Sequence, residues 1–407
     1  MKGTITFFRI ITGFLFIFSG LVKANDPHGL SYKMQEFFEV WGIHGFNEWT
    51  LLMSVLMNAF EIIAGFALLL GWRIKLFSWL LLLLIIFFTF LTGYTYVTGK
   101  PTNCGCFGDC LPITSKTSFL KDVVLTIMIG FLFWKRNEIK PLLGNRVGTG
   151  FMLAITIFSF GFQWYTLTYL PVVDCLPFKK GNNIPEKMKM PANAVPDSTV
   201  VTFVYRKEGN EVEFTADKFP ADFSKDKYEF IRRYDKVVRK GKNNEPPIKG
   251  FALSGDSNID SAQYVLEQPY AVLLFIEKAD EAGSGWKKKF EKIYTVAKSK
   301  NIPAYIITAA SGDKNKLTDG TAFNDITVYK CDYKAIQTAA RSNPCIYLLK
   351  KGTVLNKYSG QSMGMIKDEL NKLPVQPPPA TVPAPEPTAV TVPAPEPTVI
   401  DSTIIQN

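Results

Sequence analysis

The chain has 407 residues, enough for more than one domain, and a formal net charge of +10 sits beside 47% hydrophobic residues. Its lysines and arginines are scattered and form no basic stripe with interleaved aromatics, which excludes nucleic acid as a partner. The apolar residues gather in roughly the first 170 positions in runs of membrane length, and the remainder has the composition of a soluble protein.

Five stretches approach the ~20 residues that a membrane helix needs: Ile5 to Val22, Leu51 to Trp72, Leu76 to Val97, Phe119 to Trp134 and Phe151 to Leu170. The first is read as a retained helix, because no small-x-small cleavage site precedes the polar segment Lys23 to Pro27 and further spans follow. Lys2 and Arg9, Arg73 and Lys75, and Lys135, Arg136, Lys140 and Arg146 all fall on one side if the N-terminus is cytoplasmic. The loop Ala24 to Trp49, the loop after Val97 and everything beyond Leu170 then lie on the opposite face. In a bacterial inner membrane that face is the periplasm, where disulfides persist.

In the first outer loop, Leu30 to Val40 carries apolar residues at helical spacing and predicts a helix along the membrane surface, with Phe37, Phe38 and Trp41 turned to lipid. The two histidines, His28 and His44, lie in this loop, and solvent-facing or interfacial hydrogen bonding is the favoured reading over metal ligation. No metal site is assigned. Glu61 falls near the middle of the second span, where a carboxylate costs on the order of 3 kcal/mol or more unless neutral, paired or facing a polar cavity. It is therefore expected to face the bundle interior, with Lys23 or Arg9 as partner. Two uses stay open for it: a proton-carrying or quinone-contacting role, or an interhelical hydrogen bond that fixes packing.

The densest chemistry is Asn103-Cys104-Gly105-Cys106-Phe107-Gly108-Asp109-Cys110, with three cysteines in seven positions between two apolar spans. Glycines between and after Cys104 and Cys106 allow the tight backbone that a closing and opening pair requires. Thiol exchange, a fixed disulfide and thiolate ligation of zinc all use the same atoms and remain open. Cys175, in the proline-punctuated exit Leu170 to Phe178, emerges on the same face. With Cys104 and Cys106 paired, Cys110 and Cys175 make the natural second pair, one of three connectivities that four cysteines allow.

The series Arg9, Gly13, Ser19-Gly20-Leu21, Lys23, Asp26-Pro27, then Glu61, Gly65, Leu68-Leu69, Gly71, then Cys104-Gly105-Cys106-Phe107-Gly108 resembles the DoxX/MauE group of multi-helix membrane proteins, more narrowly Bacteroidetes members with a periplasmic extension. The resemblance covers about the first third of the chain. It implies an all-α membrane bundle, a part in maturing disulfide-rich partners or in methylamine utilisation, and a quinone as the cofactor to consider.

In the soluble half, Thr199 to Tyr205 and Glu211 to Phe214 read as a β-hairpin, and Asp226 to Arg239 as a helix-capable stretch. From Tyr270 the expected order is strand Ala271 to Ile276, helix Gly285 to Lys300, strand Ala304 to Thr308, strand Ile326 to Tyr329, helix Tyr333 to Arg341, strand Ile346 to Leu349 and strand Thr353 to Tyr358. This order and the stretch Asn343-Pro344-Cys345 before a hairpin resemble a thioredoxin fold, which implies a cis peptide at Pro344. Where that fold carries Cys-x-x-Cys, the chain reads Glu277 to Trp286 without cysteine. The domain is therefore expected to be inactive alone. Cys331 and Cys345 are read as core fillers, with Cys345 the more exposed. Beyond Leu373 the octad Thr381 to Thr388 recurs as Thr391 to Thr398, a proline-rich, extended tail.

The expected domains are 1–175, the membrane bundle with its cysteine loop; 176–268, a linker and hairpin; 269–373, thioredoxin-like; and 374–407, the tail. Two functions remain in play. In one, Cys104 and Cys106 exchange electrons with a periplasmic dithiol while Glu61 handles protons or contacts quinone. In the other, the protein is a non-enzymatic assembly factor whose degenerate thioredoxin-like domain binds client proteins.

Overall fold

The computed structural model describes residues 2–378 other than 102–104, 106–107, 112, 196–197, 217, 240, 242, 256–258, 284 and 310–313. Six helices of 15 residues or more open the chain: α1 (Lys2–Asn25), α2 (Pro27–Trp41), α3 (Thr50–Leu70), α4 (Ile74–Thr98), α5 (Ser115–Trp134) and α6 (Asn145–Tyr169). All but α2 are long and apolar enough to cross a membrane. Phe14, Leu83, Ile127, Leu153 and Trp164 stand exposed on their outer faces, as lipid-facing side chains do.

Close approach of α1 and α3 sets the geometry of the interior. A Cβ added to Gly65 would lie 2.8 Å from the carbonyl oxygen of Gly13, and one on Gly20 would lie 3.0 Å from the backbone nitrogen of Ile62. Small residues therefore let the two backbones touch, which is how membrane helices gain contact without a hydrophobic driving force. Arg9 is not the partner of Glu61. Its guanidinium donates to the carbonyls of Leu68, at 2.8 Å, and Leu69, satisfying the C-terminal end of α3.

Helix α2 contains the helix expected over Leu30 to Val40, and the burial of Phe37 corrects the lipid-facing assignment of that side chain. Asp26 caps it and Pro27 opens it, and Ser31 donates to Thr50 at 2.9 Å, pinning it across the start of α3. Phe37 is buried, and Trp41 packs on Phe90 and Tyr94 of α4, with ring centroids 6.3 and 5.7 Å away. Phe37, Phe38 and Trp41 all line a cavity beneath α2.

After α6 the chain passes a short helix, α7 (Ile184–Lys187), to strands β1 (Ser198–Lys207), β2 (Asn210–Thr215) and β3 (Glu229–Arg239), an antiparallel sheet in the order β2-β1-β3. The helix expected within Asp226 to Arg239 is strand β3. Its pairing along the length of β1, from Glu229 opposite Arg206 to Arg239 opposite Ser198, outweighs local propensity.

The last unit holds α8 (Ala262–Glu267), β4 (Ala271–Ile276), α9 (Gly285–Ser299), β5 (Ala304–Thr308), α10 (Lys314–Thr318), β6 (Thr327–Lys330), α11 (Tyr333–Ala339), β7 (Cys345–Lys350), β8 (Thr353–Ser359) and α12 (Ile366–Lys372). Its sheet runs β6-β5-β4-β7-β8, parallel across β6, β5 and β4 and antiparallel from β4 through β7 to β8. β4 is buried along its whole length, as the centre of a two-layer cover requires. The Asn343–Pro344 peptide before β7 is cis. This is a thioredoxin-like α/β domain joined to a helical membrane bundle.

Candidate functional site

The close crossing of α1 and α3 brings Lys23 against Glu61. The two form a buried ion pair, and Ser19 donates to the second carboxylate oxygen of Glu61 at 3.0 Å. The Lys23 ammonium also lies 4.9 Å from the centroid of Phe88. A pair buried this deep has left its hydration behind, so each charge depends on the other.

A second buried carboxylate faces the same interior. Asp122 of α5 accepts from Lys121 at 2.7 Å and from Thr92 of α4 at 3.1 Å. The sequence reading did not single it out, although Lys121-Asp122 interrupts an apolar run much as Glu61 does. Both ion pairs line one cavity of about 120 Å³, walled by apolar side chains such as Phe16, Met57 and Phe88 and roofed by Phe37 and Trp41 of α2. Gly105 lines it as well, and its backbone, at φ +66°, lies so close to Lys33 that an added Cβ would meet Lys33 Cγ at 3.0 Å. Cys104 and Cys106, its neighbours in sequence, lie outside the described residues.

Cys110 and Cys175 are joined in a disulfide that ties the cysteine loop to the exit of α6. They are therefore a cross-link and not thiols. Asn25 reinforces this end by exchanging hydrogen bonds with the backbone of Val173 at 2.8 and 3.0 Å.

The thioredoxin-like domain docks on this same end. Arg341, whose side chain is only 4% exposed, bonds Asp26 at 2.9 Å and Asp109 of the cysteine loop at 3.0 Å, and its guanidinium lies 5.2 Å from the ring centroid of Tyr32. Although burial works against its charge, the two carboxylates hold the guanidinium's pKa above its ordinary value. Tyr32 donates to Glu277 at 3.3 Å, and Gln337 donates to the other oxygen of that carboxylate at 3.1 Å. Burial, then the Glu277 charge, raises the Tyr32 pKa well above the usual phenol value. His28 stacks on Tyr32 with centroids 5.7 Å apart, and burial lowers its pKa, opposed by Asp26. His44 is exposed. Among the described residues no group of three or more His, Cys, Asp or Glu is placed to hold a metal ion.

Glu277 follows β4 directly, where a thioredoxin would place its thiols, and Asn343, beside the cis proline, accepts from the Glu277 amide at 3.1 Å and donates to the Lys278 carbonyl at 2.7 Å. The face that serves chemistry in that fold here holds a membrane loop in place. Cys331 and Cys345 are buried and free, and Cys345 is the more buried of the two, correcting the expected order. Burial pushes their thiols up to about 12 and about 11.

The fold and site define a multi-pass helical membrane protein whose loops are clamped by a thioredoxin-like domain without a Cys-x-x-Cys. Residues 1–135, about a third of the chain, match the family model described as methylamine utilisation protein MauE, to which the membrane bundle is similar. A second model, a domain of unknown function, matches residues 199–240, the sheet of β1, β2 and β3. The chain is similar to Protein TlpB of Flavobacterium psychrophilum, 29% identical over 159 residues, 37% of this chain and 42% of that protein. It thus spans less than half the length of that relative. No solved structure matches it.

Proposed function

We propose that this protein is a thiol–disulfide redox component of the bacterial inner membrane, with its thioredoxin-like domain in the periplasm, and that it supplies disulfides to maturing partner proteins. The observation that carries this reading is the cavity, because Gly105, set between Cys104 and Cys106, lines it together with the Lys23–Glu61 and Lys121–Asp122 pairs. A dithiol partner attacks the Cys104–Cys106 disulfide, giving a mixed disulfide, then leaves as its own disulfide with two thiols remaining on the loop. A quinone bound in the cavity would accept the two electrons and two protons that re-form the loop disulfide.

The residues present fit such a group. Apolar walls suit a ring and tail, and the two ion pairs set charged hydrogen-bond donors at an otherwise apolar surface. Glu61, held by Lys23 and Ser19 at the cavity wall, would be the group that passes protons there. The matched family is described as a methylamine utilisation protein, and the resemblance to DoxX/MauE proteins implies a part in maturing disulfide-rich partners. The scaffold alternative draws its support from the absent Cys-x-x-Cys, but the face such a domain would offer to clients is engaged by Tyr32, Asp26 and Asp109.

The test is covalent trapping. Cys106→Ser should leave Cys104 able to hold a partner as a mixed disulfide in intact cells, or Cys104→Ser should do so through Cys106, while the double variant traps nothing. A Cys104–Cys106 bond that survives strong reductant, with no adduct from either single variant, would overturn the reading. Stoichiometric zinc, lost on changing either cysteine, would overturn it as well.

A further inference from the structure

The thioredoxin-like domain carries a second concavity, at the β6 edge of its sheet. It has a volume of about 350 Å³ and is lined by Tyr264, Tyr294, Tyr305 and Tyr329, with Lys298 and Asn301 at its rim. The tyrosines come from four elements, α8, α9, β5 and β6, so the groove is a product of the fold and not of one loop. The Tyr305 and Tyr329 rings lie 5.5 Å apart at 47°, and the Tyr294 hydroxyl and Lys298 share Asp325 at 2.7 and 2.8 Å, which holds the rim in place.

The chain itself delivers an occupant to this groove. After α12, Lys300 donates to the carbonyl of Leu373 at 2.8 Å and the Gln376 amide donates to the carbonyl of Lys300 at 2.8 Å. Asn301, a residue of the rim, then donates to the carbonyl of Gln376 at 2.8 Å. The backbone is thus fastened to the groove's edge just before the proline-rich octads Thr381 to Thr388 and Thr391 to Thr398 begin. In polyproline II geometry a chain advances ~3.1 Å per residue, so the interval from Gln376 to Pro383 spans at most roughly 20 Å and keeps the first octad within tether reach of the rim. Aromatic-lined grooves are the usual receptors for such segments, because a proline-rich strand loses little conformational entropy on docking.

We infer that the tyrosine groove is the docking site of the chain's own proline-rich tail, and that Val382 to Pro387 is the segment it holds. Tethering over so few residues gives an effective concentration in the millimolar range, so even a weak contact is mostly formed in the intact chain. The inference is independent of the redox reading.

The test uses the full-length protein in lipid nanodiscs with a photo-crosslinking phenylalanine analogue at position 294, and at position 234 as a remote control. The expected result is an intramolecular adduct between position 294 and a tail peptide, at least fivefold above the control. Changing Pro383, Pro385, Pro387, Pro393, Pro395 and Pro397 to Ala should reduce it to the control level. A variant with the natural Tyr294 and the analogue at position 264 gives a second reading if the first folds poorly. No tail adduct from either position, or an adduct unchanged by the proline substitutions, would overturn the inference. So would adducts found only between isotopically distinct copies, which would make the occupant a second chain.

Discussion

Glu61 and Lys23 depend on each other more than either depends on the rest of the bundle, and substitutions can separate structure from chemistry. Removing one member of a buried pair leaves an uncompensated charge and costs about 3–5 kcal/mol, so Glu61→Leu should lower the melting temperature in detergent sharply. Glu61→Gln keeps the hydrogen bond from Ser19 but not the charge. The double variant Lys23→Met, Glu61→Gln removes both charges and should recover much of the stability. If Glu61 carries a proton, the double variant accumulates normally yet fails to re-form the loop disulfide; full activity would make the pair structural. The free cysteines give a contrasting case. With their thiols pushed up to about 12 at Cys331 and about 11 at Cys345, neither is a thiolate near pH 8, and native alkylation should be slow, speeding up only on unfolding. Because the unfolded thiols ionise near 9, this contribution to stability is full below that pH and is lost as pH rises toward the folded values.

At the scale of elements, the cysteine loop is held by a covalent tie on one side and a carboxylate on the other. The Cys110–Cys175 disulfide closes a separation of 65 residues, and its loss through Cys175→Ser should cost about 2–5 kcal/mol, seen as a lower melting temperature without loss of helix. Apolar length alone made all five spans readable, since hydrophobic runs leave few alternatives in a membrane. The strands from Ala271 onward and the helices α9 and α11 were equally legible, because a central strand buried along its length, such as β4, needs a continuous apolar run, whereas the short helices α10 and α12 were not read. Legibility failed where partners from elsewhere decide. Residues 226–239 have helical potential, but β1 supplies a ladder from Glu229 to Arg239. Phe37 and Trp41 look lipid-facing until the cavity under α2 is known. Asp122 was overlooked because it lies beside Lys121 near a span's end, where a charge pair looks like an interfacial anchor. Glu61 stood out for the opposite reason, being alone in mid-span.

Taken whole, the molecule places a domain without catalytic thiols over the loop of another module, and the clamp rests on one arginine. Sequence could mark Pro344 and the missing Cys-x-x-Cys, but no local pattern revealed that Arg341 would bridge Asp26 and Asp109, residues hundreds of positions away in the chain. Arg341→Met keeps much of the packing on Tyr32 while abandoning both carboxylates, and it should release the domain, read as faster proteolysis between Pro177 and Pro196 with the bundle intact. The same clamp should respond to acid through His28. Its pKa is lowered by burial, opposed by Asp26 and Glu277 and supported by Arg341, whereas in an undocked chain it would sit near 6.5. The undocked state therefore binds the proton more readily. Docking is at full strength above about 6.5 and weakens as the pH falls below it. Distances between a spin label on the bundle and one on the thioredoxin-like domain, followed from pH 7.5 to 5.5, should broaden in the native protein and stay constant in His28→Gln. Equal broadening in both would assign the acid response to another group.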